Sequence, residues 1–173
     1  MATLPTLPAQ AFGQPARASF VNGNLEYAIN FALRPPMARV YRTAGLTFSS
    51  GAYGTPQWDT TSYDTDGMHT SANILTVQSA GYYCVESVII LAVSAGNLTV
   101  QIRKNAAGSV AAGTQITGFV GGTGATYVYI TSTDAYNQGD TIEVFAQQTS
   151  GSNQSLVGGT AGSYMQARLV GLT

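Results

Sequence analysis

From residue 37 onward, apolar side chains recur at every second position. Leu98, Val100 and Ile102 alternate with Thr99, Gln101 and Arg103, the pattern of a strand with one buried face. The same period of two runs through 39–43, 126–131, 141–147 and 164–170. Residues 82–93 (YYCVESVIILAV) differ, being apolar at odd and even positions alike. They predict a central strand that needs cover on both sides. Glycine- and asparagine-rich clusters at 96–97, 105–108, 121–124, 137–140, 150–153 and 158–162 separate these runs. Short strands at even spacing, with glycine-rich turns, predict an all-β antiparallel sandwich or barrel. The stretch 49–73 lacks alternation and is expected to be a long loop. The 158–162 cluster is expected to be a flexible loop.

Upstream the period changes. Within 20–34, Val21, Leu25, Ala28, Ile29 and Ala32 fall on one helical stripe. Asn22 suits the N-cap, and Pro35–Pro36 stops the helix. A helix this short is marginal alone in water, so its apolar stripe must pack against something. Residues 1–18, with Pro5, Pro8 and Pro15, predict an extended arm. The expected organisation is an anchoring arm and short helix over 1–36, followed by one β domain over 37–173. Val21, Leu25, Ile29, Phe31 and Leu33 are the expected anchoring residues.

Composition then narrows the function. The chain has 173 residues, of which 9% are charged, with seven basic and eight acidic side chains. An average soluble chain is about 25% charged. A net charge of -1 excludes a polybasic nucleic-acid binder and a basic membrane-surface helix. No run of 18 apolar residues is present to span a membrane as a helix. The first ten residues carry neither the basic nor the apolar segment of an export signal. One cysteine, Cys84, offers no intrachain disulfide, and one histidine, His69, cannot build a zinc site. So few charges on a β domain suggest that copies of the chain, or a larger assembly, cover part of its surface. A coat of Thr, Ser, Asn and Gln on a monomer is the other reading.

The densest polar cluster is Tyr63-Asp64-Thr65-Asp66-Gly67-Met68-His69. Asp64 and Asp66 are weak candidates for a Ca²⁺ site, because Asp-x-Asp-Gly sets two carboxylates on one turn. The alternative is a loop in which both aspartates cap their own backbone. Position 12 of an EF-hand counted from Asp64 falls on Leu75, not Glu. No nucleophile elbow and no phosphate loop with a following Lys is present, so no catalytic residue and no cofactor is expected. Tyr53, Trp58, Asp59 and Tyr63 lie in the long 49–73 stretch as a candidate ligand loop, with the aromatic rings available for stacking on a sugar.

Three segments resemble the C1q/TNF-like jelly roll. Ser79-Ala-Gly-Tyr-Tyr-Cys-Val-Glu-Ser-Val is similar to one characteristic strand of that family. Leu98-Thr-Val-Gln-Ile-Arg-Lys-Asn-Ala is similar to another strand with its turn. Asn137-Gln-Gly-Asp-Thr-Ile-Glu-Val resembles a third strand's start. The chain departs from the family's eukaryotic members in lacking a closing Phe-x-Gly-x-x-Leu segment and a collagen-like stalk. Pro36-Met-Ala-Arg-Val-Tyr-Arg-Thr, followed by the Tyr63–His69 cluster, further resembles C1q-like domains in virion proteins of actinobacterial phages. This resemblance implies a non-enzymatic homotrimer in a virion, a head decoration or fibre or a minor tail protein. Other virion proteins would be its partners, met through the N-terminal arm. Residues Tyr83, Val85, Ile89, Leu91, Met165 and Leu169 are then expected to form the trimer core. The competing expectation is a host-attachment module that grips a surface glycan through Trp58 and its neighbours.

Overall fold

The computed structural model describes Leu25, Glu26, Ile29 and residues 31–92, 96–105, 113–120 (by their strand pairing) and 125–172. Leu25, Glu26, Ile29 and 31–33 are helical, and the helix ends before Pro35–Pro36 as its sequence predicts. Among the described residues twelve strands follow in two antiparallel sheets. They are β1 (Met37–Tyr41), β2 (Leu46–Phe48), β3 (Tyr53–Gly54), β4 (Thr60–Asp64), β5 (Ile74–Thr76) and β6 (Gly81–Leu91). The chain continues through β7 (Gly96–Lys104), β8 (Gly113–Val120), β9 (Thr126–Tyr136), β10 (Thr141–Gln148), β11 (Gln154–Leu156) and β12 (Tyr164–Gly171).

In the larger sheet β4, β1, β12, β6 and β9 lie side by side, and β11 and β2 join β6 through Leu156–Leu91. The smaller sheet has the order β3-β10-β7-β8, with β5 also paired to β10. The two sheets enclose one core, in which Val40, Trp58, Leu75, Ile102, Ile130, Ile142, Val144 and Leu156 are buried. Of the antiparallel sandwich or barrel that the alternation predicts, this is the sandwich, in the jelly-roll form that the resemblance implies.

Strand β6 holds the key to which surface remains outside. Its odd positions Tyr83, Val85, Ile89 and Leu91 are fully buried between the sheets, as is Met165 of β12, and Leu169 of β12 is nearly so. The expectation that these six residues form a trimer core is therefore corrected. They are the core of one copy, because side chains alternate across a strand and the smaller sheet covers the odd set. The even positions of β6 face outward instead.

Two of the segments quoted for the resemblance meet at one end of the sandwich. Asn105 takes a left-handed turn (φ 50°), a conformation that Asn tolerates. Its Nδ2 donates to Asp140 Oδ1 at 2.7 Å, and its Oδ1 accepts from the Thr141 N–H at 2.7 Å. Lys104 Nζ sits 3.0 Å from Asp140 Oδ2 and donates to the Ala135 carbonyl at 2.7 Å. Nearby, Gly81 leaves no room for a side chain: a Cβ there would lie 2.3 Å from Leu169 Cδ1 and 2.6 Å from the Gly171 carbonyl oxygen. The Leu169 N–H donates to the Pro36 carbonyl at 2.8 Å, which joins the start of β1 to the end of β12.

The 49–73 stretch is not one loop, since β3 and β4 lie within it. The 158–162 turn is tightly packed: the Gly159 N–H donates to the Arg42 carbonyl at 2.7 Å, and a Cβ on Gly162 would lie 2.4 Å from the Gly158 carbonyl.

Candidate functional site

The outward face of the larger sheet is built row by row from its register. One row runs Tyr41, Tyr164, Val88, Tyr129 across β1, β12, β6 and β9. The next runs Tyr63, Arg39, Gln166, Glu86, Thr131, beginning on β4. A third runs Met37, Arg168, Cys84, Thr133. Ile90 faces Tyr127 at one end and Tyr82 faces Ala135 at the other. Six of the chain's ten tyrosines therefore lie on this face (Tyr41, Tyr63, Tyr82, Tyr127, Tyr129 and Tyr164). Tyr127 is 73% exposed and Tyr129 49%. Exposed large aromatic side chains gathered on one face mark an interaction surface, and tyrosine is enriched in protein interfaces.

Polar groups occupy the middle of the face. Tyr63 donates its hydroxyl to Gln166 Oε1 at 3.4 Å, and Gln166 Nε2 donates to Glu86 Oε2. Cys84 Sγ lies 4.0 Å from Glu86 Oε1 and 3.7 Å from Thr131 Oγ1. The Arg39 guanidinium stacks over the Tyr164 ring at 4.0 Å, a cation–π contact. Partial burial first, and the Glu86 carboxylate next, push the Tyr129 hydroxyl above its usual range. A shallow depression of about 240 Å³ opens here, lined by Met37, Tyr63, Cys84, Glu86, Gln166 and Arg168.

The four residues expected to form a ligand loop do not come together. Trp58 is fully buried, with its backbone N–H bonded to the Ala72 carbonyl, and its ring cannot stack on a sugar. Its position in the core answers to indole's large apolar area. Asp59 caps a neighbouring turn, accepting from the Thr43 N–H and hydroxyl, both at 2.8 Å. Burial raises its pKa, and these bonds with that from Thr60 outweigh it, so the carboxyl stays below 3.8. Tyr53 lies on the smaller sheet beside Arg103, whose guanidinium is 5.3 Å from its ring and 3.9 Å from that of Phe145. Only Tyr63 of the four lies on the tyrosine face.

Asp64 spends its carboxylate on the loop. Oδ1 accepts from the N–H groups of Asp66 and Met68, and Oδ2 from that of His69 at 2.8 Å. Asp66 is buried and its charge acts on the Tyr83 hydroxyl. This is the backbone-capping arrangement, the second of the two readings of the cluster. Among the described residues no three metal-ligating side chains gather. His69 Nδ1 pairs with Thr61 Oγ1 at 2.7 Å.

Of the expected anchoring residues, Val21 lies outside the described residues. Phe31 packs against the core, so it holds the helix to the domain. Leu25, Ile29 and Leu33 are 56%, 46% and 73% exposed. At a spacing of four they share one stripe that faces away from the sandwich.

No family model matches the chain, and no curated protein does. Solved structures do. The globular domain of zebrafish complement 1qA protein superposes with a TM-score of 0.56 at 13% identity, over 80% of this chain and 99% of that one. An Eiger TNF from S. frugiperda gives 0.60 at 12% identity, over 80% of this chain and 94% of that one. Murine APRIL gives 0.58 at 13%, over 78% and 98%. The chain has the C1q/TNF jelly-roll fold. At these identities the likeness is one of fold.

Proposed function

We propose that this chain is a homotrimeric structural module of a phage virion, a head decoration or fibre or a minor tail component, attached to the particle by its N-terminal arm. The observation that carries the trimeric reading is the tyrosine-rich outer face of the larger sheet. It keeps Tyr63, Tyr82, Tyr127, Tyr129 and Val170 exposed while the core of the copy is already closed. Covering such a face with further copies buries aromatic area without leaving an open patch. The exposed Leu25-Ile29-Leu33 stripe supports the attachment reading, because the helix is fixed to the domain through Phe31 and still presents leucine and isoleucine outward. The virion setting is supported by the sequence resemblance over 36–43 and 63–69. The proposed role is non-enzymatic: the face offers contact, with Tyr63, Gln166 and Glu86 tied to one another. The host-glycan alternative loses its anchor, since Trp58 is in the core.

Light scattering coupled to size exclusion tests the assembly. Three copies of 18.0 kDa give about 54 kDa. A mass of one copy at micromolar concentration overturns the trimer. Removing residues 1–34 is expected to leave the assembly intact and to abolish incorporation into particles. Particles that still take up the shortened chain overturn the attachment.

A further inference from the structure

The tyrosine face holds one carboxylate and two guanidinium groups in its middle rows, and their surroundings differ. Glu86 is held by neutral neighbours, Gln166 Nε2 and the Cys84 thiol. Arg39 is occupied by its own Tyr164 ring. Arg168 is exposed and makes no ion pair among the described residues. In the register Gln166 faces Glu86 and Arg168 faces Cys84, so Arg168 is the diagonal neighbour of Glu86. Even so, the carboxylate is bonded to Gln166.

A second copy laid on this face would strip water from a carboxylate and from a guanidinium, each without an opposite charge. A charge buried unpaired is strongly destabilising, whereas a hydrogen-bonded opposite pair is tolerated. With Arg39 held by its own Tyr164 ring, Glu86 and Arg168 remain as one group of each sign, so a second copy can supply each with its opposite charge. We propose that Glu86 of one copy pairs with Arg168 of the next, closing a head-to-tail ring of ion pairs inside the homotrimer. This rests on the trimeric reading above. The surrounding tyrosines supply the area, and the pair sets the angle at which copies meet. Charge pairs fix register and partner choice, and the planar guanidinium matches a carboxylate fork to fork.

The test compares the full-length wild type, Glu86→Arg, Arg168→Glu and an equal mixture of the two variants by light scattering across a dilution series. Each variant alone sets like charges face to face, and its dissociation midpoint is expected to rise by roughly tenfold or more. The mixture is expected to recover the trimer in part, to a dissociation midpoint between those of the variants and the wild type, because in a mixed ring of three two contacts join unlike chains and one joins like chains. A pair confined within one chain is not rescued by mixing, since each chain keeps its own like charges. Circular dichroism checks that each variant is folded, and Arg168→Ala carries the same comparison if Glu86→Arg does not fold. A wild-type mass of one copy overturns the trimer and this pair together. A wild-type trimer with indifferent variants, or a mixture whose midpoint is no lower than that of either variant alone, overturns the pair alone.

Discussion

Asp140 shows how single residues tie the fold together. Burial pushes its carboxyl up, but bonds from the Asn105 amide, the Asn137 N–H and the Lys104 ammonium outweigh this and hold it below 3.8. A depressed folded-state value means that its contribution is present above pH 3.8 and is lost as pH falls through the lower value. Thermal unfolding followed from pH 7 downward is expected to show this loss, and Asp140→Asn is expected to flatten it. At neutral pH the same variant is expected to cost about 1.5–3 kcal/mol in urea unfolding, the range for hydrogen bonds to a charged group. Trp58 makes the opposite point, as an aromatic side chain that sits where no ligand reaches it. Trp58→Ala is expected to destabilise by about 3–5 kcal/mol. As the sole tryptophan, it is also expected to emit at blue-shifted wavelength until the protein unfolds.

At the scale of elements, the two sides of β6 separate stability from association. Ile89 lies in the core and Tyr127, across from Ile90 on β9, lies outside. Ile89→Ala is expected to cost about 2–5 kcal/mol of stability. Tyr127→Ala is expected to leave the urea unfolding free energy of the isolated copy within about 0.5 kcal/mol and to weaken association in the dilution series. The odd-even choice was the least legible part of the candidate site. Residues 82–93 are apolar at both parities, so the sequence predicts cover on two sides without saying which side the second sheet takes. The outer face became visible only through register, which brings residues as distant as Tyr41, Glu86, Tyr129 and Gln166 into adjoining rows. Strands with clean alternation, β7, β10 and β12, were legible outright. β4 (TTSYD) was not, because an edge strand exposed over its middle three residues needs no apolar period. β2, β3, β5 and β11, of two or three residues each, are too short to carry a period. β8, with two glycines and few apolar residues, showed no period either.

For the whole molecule, the order of motifs along the chain indicated the sandwich, and pairing explains why they had to co-occur. The Lys104-Asn105 turn and the Gly139-Asp140 turn meet through hydrogen bonds across 35 residues, so one is of little use without the other. The bond between Leu169 and Pro36 has a practical consequence. Because β1 and β12 run antiparallel, the polypeptide enters and leaves the sandwich at the same pole. A reporter or affinity tag fused after Leu172 would crowd the side from which the arm emerges. Cargo inserted in the turn at 150–153 sits at the other pole, where it can be displayed clear of the point at which the polypeptide enters the sandwich.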